Sequence, residues 1–105
     1  MLSYEAFEYI QKGIDELKNR RTSLFTDEIR NSRGYARMFA RVPSAMNDKE
    51  KELVDCNDSF DRLCLKTFSC RCESNDSKCA NDYIVDLKNL LLQMESLIGE
   101  IDWTK

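Results

Sequence analysis

Seven apolar residues near the end of this chain fall on one helical line. Ala80, Ile84, Leu87, Leu91, Met94, Ile98 and Ile101 are separated by 4, 3, 4, 3, 4 and 3 residues. At 100° per residue this spacing keeps all seven on one face, so it predicts a long amphipathic helix. Tyr83, Leu90 and Leu97 flank the line at seven-residue intervals. The apolar stripe is therefore wider than a two-stranded seam, and the helix must pack against more than one neighbour.

The rest of the chain follows the same period. Phe7, Ile10, Ile14 and Leu17 recur at 3, 4 and 3 and predict a first helix over 3–21. Ser3 is its cap, Glu5 sits in its first turn, and the polar run from Lys18 to Ser23 ends it. Thr26-Asp27-Glu28 supplies the start of a second helix running to about Arg41, since Pro43 disfavours helix in the residue before it. Phe25, Ile29, Ala36 and Phe39 share one side of that helix. Gly34 weakens it, and a break over Asn31–Gly34 would divide it in two. After a loop over 43–48, a third helix is expected over 48–70. Leu53, Cys56, Phe60, Leu63, Thr67 and Cys70 form its inner stripe, with Glu52, Asp55, Asp58 and Asp61 opposite. Residues 73–78 read as a polar loop.

The fold class is therefore all-α: a small bundle of three to four helices with a long C-terminal amphipathic helix, forming one domain over 1–105. One Pro and three Gly provide too little turn chemistry for a β-sandwich. At 42% hydrophobic residues, the chain can form a core. No apolar run approaches the ~20 residues that cross a membrane, so no membrane partner is expected. The first residues show neither the basic nor the apolar region of a secretory signal. A cytoplasmic location with reduced thiols is the corresponding expectation. A leucine-rich strip left exposed after packing would mean a homodimer.

Histidine is absent, which removes imidazole from acid–base catalysis, nucleophile pairs and metal sites. The serines have no general base, and Gly13, Gly34 and Gly99 are too far apart for a phosphate loop. The sequence reads as a non-enzyme with no cofactor. Two constellations nevertheless bear on metals. Cys64, Cys70, Cys72 and Cys79 are the candidate zinc thiolates, although their spacing lacks the two close pairs of a structural site. Glu5-x-x-Glu8 and Glu52-x-x-Asp55 each place two acids on a helix face. Four acids meeting in a bundle could hold Mg²⁺, and this pattern loosely resembles the all-α nucleotide pyrophosphohydrolases of the MazG type. That resemblance implies an Mg²⁺-dependent hydrolase, but the gap between the acid pairs is longer here than in that family.

Charge marks the remaining candidate. Residues 12–41 hold eight basic and four acidic residues, and residues 47–105 hold eight and thirteen. Arg30, Arg33, Arg37 and Arg41 fall within about 80° of one another on a helix. Tyr35, Met38 and Val42 lie beside them, away from the expected core side. Arginine suits planar anions, and arginine with aromatic residues and methionine is interface chemistry. Arg30, Arg33, Tyr35, Arg37, Met38 and Arg41 are thus the candidate contact surface. The expected partner is a larger protein or nucleoprotein complex. The expected function is that of an inhibitor or adaptor occupying its partner's surface, as immunity proteins and phage-encoded antagonists of host defence do. Two alternatives are nucleic-acid binding by the same arginines, which the net charge of −3 opposes, and a solvated face whose arginines pair with the acids of the third helix. Trp103 is expected to close the end of the core, with an interface anchor as the alternative.

Overall fold

The computed structural model describes the backbone of residues 4–69 and 77–104, with side chains given for all but Ala6, 66–69 and 77–81. Its elements are α1 (Tyr4–Leu24), α2 (Asp27–Arg30), α3 (Arg33–Ala40), a 3-10 turn (Pro43–Ala45), α4 (Asp48–Ser69) and α5 (Ser77–Glu100). The fold is all-α, with no strand among the described residues. The molecule measures 49 × 24 × 19 Å with a radius of gyration of 15.9 Å, against ~13 Å for a compact chain of this length. It is elongated because its long helices lie side by side.

The central element is α5. It packs along α4 and along α1, the two-neighbour arrangement its wide stripe predicts. Leu87, Leu91, Met94, Leu97 and Ile101 are buried, and Ile84, Leu90 and Ile98 are partly buried against them. Ile10, Ile14 and Leu17 of α1 and Leu53, Cys56, Phe60 and Cys64 of α4 complete the core from both sides. The inner stripe of α4 passes through Cys64, not Leu63, because a step of four from Phe60 follows the 3.6-residue turn more closely here. Leu65, Val85 and Leu92 remain exposed. No described helix is long and apolar enough to cross a membrane.

Helix boundaries differ from expectation where polar side chains serve the backbone. The first helix continues to Leu24, three residues past its expected end. The Thr22 and Ser23 hydroxyls donate to the carbonyls of Lys18 (3.0 Å) and Asn19 (2.9 Å), so these polar side chains find partners four residues back and do not end the helix. Ser77 and Lys78, expected in a loop, belong to α5; the rest of that loop, 73–76, lies outside the described residues, as do Cys70, expected at the end of the third helix, and Cys72.

The second helix is indeed divided. Thr26 caps α2 and Ser32 caps α3, each accepting from the backbone N–H three residues on. Both caps are extended, with ψ of 166° and 160°. The chain therefore restarts its helical phase at Ser32, and this exchanges two side chains. Met38, expected outside, is 4% exposed in the core, while Phe39, expected inside, is 58% exposed. Gly34 is buried where Trp103 crosses it: a Cβ there would stand 3.1 Å from Trp103 Cε3. Trp103 packs on the core and donates its indole N–H to the Ile98 carbonyl at 3.0 Å. The tryptophan thus closes the core end, as expected.

Candidate functional site

A groove of about 310 Å³ opens where three segments meet. The end of α1 contributes Arg21, Thr22 and then Phe25. Arg30 and Tyr35, Met38, Phe39 and Arg41 come from α2, α3 and the α3 C-cap, and Val54, Asn57 and Asp61 from α4. Of the six residues expected in a contact surface, Arg30, Tyr35, Met38 and Arg41 line this groove. Met38 does so as part of its buried floor, which corrects its expected outward position. Arg33 is exposed but does not line the groove, nor does Arg37.

The aromatic wall follows from local spacing. Tyr35 and Phe39 are four residues apart on α3 and share a face. Their ring centroids are 4.2 Å apart and tilted by 41°. Phe25 meets Tyr35 edge-on at 6.0 Å. Phe25 is partly buried against the core, whereas Phe39 is not packed there.

The arginines have distinct settings. Arg21 pairs with Asp61, and its guanidinium lies 4.7 Å over the Phe60 ring, a cation–π contact. Arg41 donates both terminal nitrogens to Asp58, at 3.1 and 3.2 Å. It does so from a left-handed backbone conformation, φ 52° and ψ 40°, that caps α3. Arg37 reaches Glu50, its Nε 3.4 Å from Oε2. Arg30 donates to the Thr22 carbonyl at 3.3 Å and has no carboxylate partner among the described residues. The pairing of arginines with α4 acids thus accounts for Arg37 and Arg41, as the solvated-face alternative requires, but not for Arg30 or the exposed Phe39.

Glu50 is 1% exposed and anchors this network. Its Oε1 accepts from the Asn47 N–H (3.3 Å), while Asn47 Oδ1 accepts from the Glu50 N–H (2.8 Å). This is a reciprocal capping box at the start of α4. The sequence expectation missed Glu50, although Asn47-x-x-Glu50 carries the signature. It also missed Phe39, whose signal was the second cap, Ser32.

Only part of the metal candidates falls within the described residues. Among the described residues, no group of three or more Cys, Asp or Glu could hold an ion. Glu5, Glu8, Glu52 and Asp55 are all exposed, and Glu52 accepts from Gln93 at 3.4 Å. Cys64 is 3% exposed in the core, where it acts as a small hydrophobe. Cys79 lies on α5, but its side chain is outside the described residues, as are Cys70 and Cys72.

Comparison with known proteins finds no match to the chain among family models, curated proteins or solved structures.

Proposed function

We propose that this protein is a small non-enzymatic binding protein, an inhibitor or adaptor that occupies a surface of a larger partner through the groove between α1, α3 and α4. The observation that carries this reading is Phe39. A phenylalanine 58% exposed, stacked on Tyr35 beside Arg30 and Arg41, is the aromatic–arginine combination enriched in binding hot spots. Its exposure adds little to the fold, so a bound partner supplies the burial that the monomer leaves out.

The test is affinity purification of tagged protein from its native host, with and without nuclease. A stoichiometric protein that survives nuclease and is lost with Tyr35→Ala and Phe39→Ala supports the reading. Recovery that collapses with nuclease moves the function to nucleic acid. A partner retained by both variants places the contact elsewhere on the molecule.

A further inference from the structure

We infer that the groove receives an acidic segment of a partner protein carrying an apolar side chain. Its carboxylate meets Arg30, and its apolar side chain lies on Tyr35 and Phe39. This inference rests on the proposed function and names the chemistry of the partner.

The argument is one of charge and pairing. Three arginines and one aspartate line the groove, and with Asp58 set against Arg41 one positive charge is left over to favour an anion. Two of those arginines already hold carboxylates of their own chain: Arg21 holds Asp61, and Arg41 holds Asp58. Arg30 holds a backbone carbonyl instead, leaving most of its five donors for an incoming acid. A guanidinium takes a carboxylate through two parallel N–H donors, as Arg41, another lining residue, does with Asp58. Beside it, half-buried Tyr35 and exposed Phe39 form an aromatic shelf over the apolar floor of Met38 and Val54.

The same pairing disfavours nucleic acid. Arg21, Arg37 and Arg41 are each bound to an acid, which leaves Arg30 and Arg33 of the expected arginine surface. Arg33 lies outside the groove. Nucleic-acid affinity rests on neutralising several phosphates, each adding about 0.7 (single strand) to 0.9 (duplex) to the salt slope, and two cations in separate settings supply little of it.

The experiment is an NMR titration of the full chain with three probes: a short peptide alternating Glu with Phe, its Gln–Phe counterpart, and single-stranded oligothymidylate. The Glu–Phe peptide is expected to shift the Arg30 side-chain N–H and the amides around Tyr35 and Phe39. Arg30→Gln weakens it about threefold, the scale of an exposed ion pair, and Phe39→Ala about thirtyfold, the scale of an aromatic hot spot. Three results would overturn the inference: equal binding of the Gln–Phe peptide, no shifts at the groove with the Glu–Phe peptide, or tighter binding of oligothymidylate. The purification above separates the two failures. A host partner still lost with Phe39→Ala but indifferent to Arg30→Gln keeps the groove and rejects the acidic segment.

Discussion

From Leu53 to Glu100 the described inward positions are apolar, and helices of 22 and 24 residues bury them against each other. From Asp27 to Ala40 the picture reverses. The four-residue α2 buries nothing, and the eight-residue α3 buries Gly34 and Met38. Helices this short do not sustain themselves in water, so other forces hold them. Two side-chain caps, the Arg37–Glu50 and Arg41–Asp58 pairs and the Trp103 ring over Gly34 do that work. The long helices are stabilised by area and the short ones by particular polar contacts. The groove lies at their junction, where the long helices meet the short ones.

The sharpest way to break this comparison is at Phe60, fully buried in α4 with Arg21 over its ring. Phe60→Ala is expected to cost about 3–5 kcal/mol by urea denaturation, as lost transfer energy plus a cavity. The whole molecule should unfold earlier in one step. A loss below ~1 kcal/mol would mean that area does not dominate the α4–α5 half.

Next comes Glu50, on the polar side of the comparison. Glu50→Ala leaves Arg37, which is partly exposed, without its acid and the Asn47 N–H without an acceptor. About 2 kcal/mol is expected, less than for a fully buried pair because Arg37 retains solvent. Glu50→Gln keeps an acceptor for Asn47 and should lose about half as much. Hydrogen exchange decides where the loss falls: α3 amides should open well before those of α5. Equal acceleration in both would show that the two regions unfold as one unit.

What the sequence disclosed follows the same division. The inner face of α5 was legible because its seven-residue line has no miss, and the buried residues follow it with Leu97 taking the inward place and Ile98 partly exposed. The α3 face was not legible. A wheel counted from Phe25 and Ile29 starts before the break, and the extended Ser32 resets the phase; Met38 and Phe39 therefore trade places. The arginine stripe was visible as a composition, yet the sequence could not show which arginines would find acids. That depends on the register of α3 against α4, which brings Glu50 and Asp58 within reach of Arg37 and Arg41, and on the turn from α1 into α2, which sets Arg30 against the Thr22 carbonyl.

A smaller effect sharpens the area side through pH. Burial pushes the Cys56 thiol above its ordinary value of 9.0, and the neighbouring Glu52 and Asp55 add to the rise. Burial likewise raises Cys64, followed by Asp61 and Asp15, against the opposing pull of Lys18 and Arg21. The folded chain thus holds these two protons more tightly than the unfolded chain. Their contribution to stability is complete below the ordinary thiol value and is lost as pH rises toward the folded value. The urea midpoint of the natural chain should fall between about pH 8 and pH 10 more than that of a Cys56→Ala, Cys64→Ala variant. Equal falls would mean that the two thiols titrate alike in the folded and unfolded chain.

The smallest expected effect tests the junction itself. Arg41 caps α3 in the left-handed region, which costs a residue with a side chain about 1 kcal/mol relative to glycine. Its pair with Asp58 is largely exposed at 59% and 33%, and such a pair contributes about 0–1 kcal/mol. Arg41→Gly removes both terms, so stability should stay within ~0.5 kcal/mol of the natural chain. Partner binding should nevertheless change, because Arg41 lines the groove. A loss above ~2 kcal/mol would exceed what an exposed pair can supply. The α3–α4 junction would then be held by that cross-link as firmly as α5 is held by its core, and the groove would be a rigid structural joint whose arginines serve the fold before any partner.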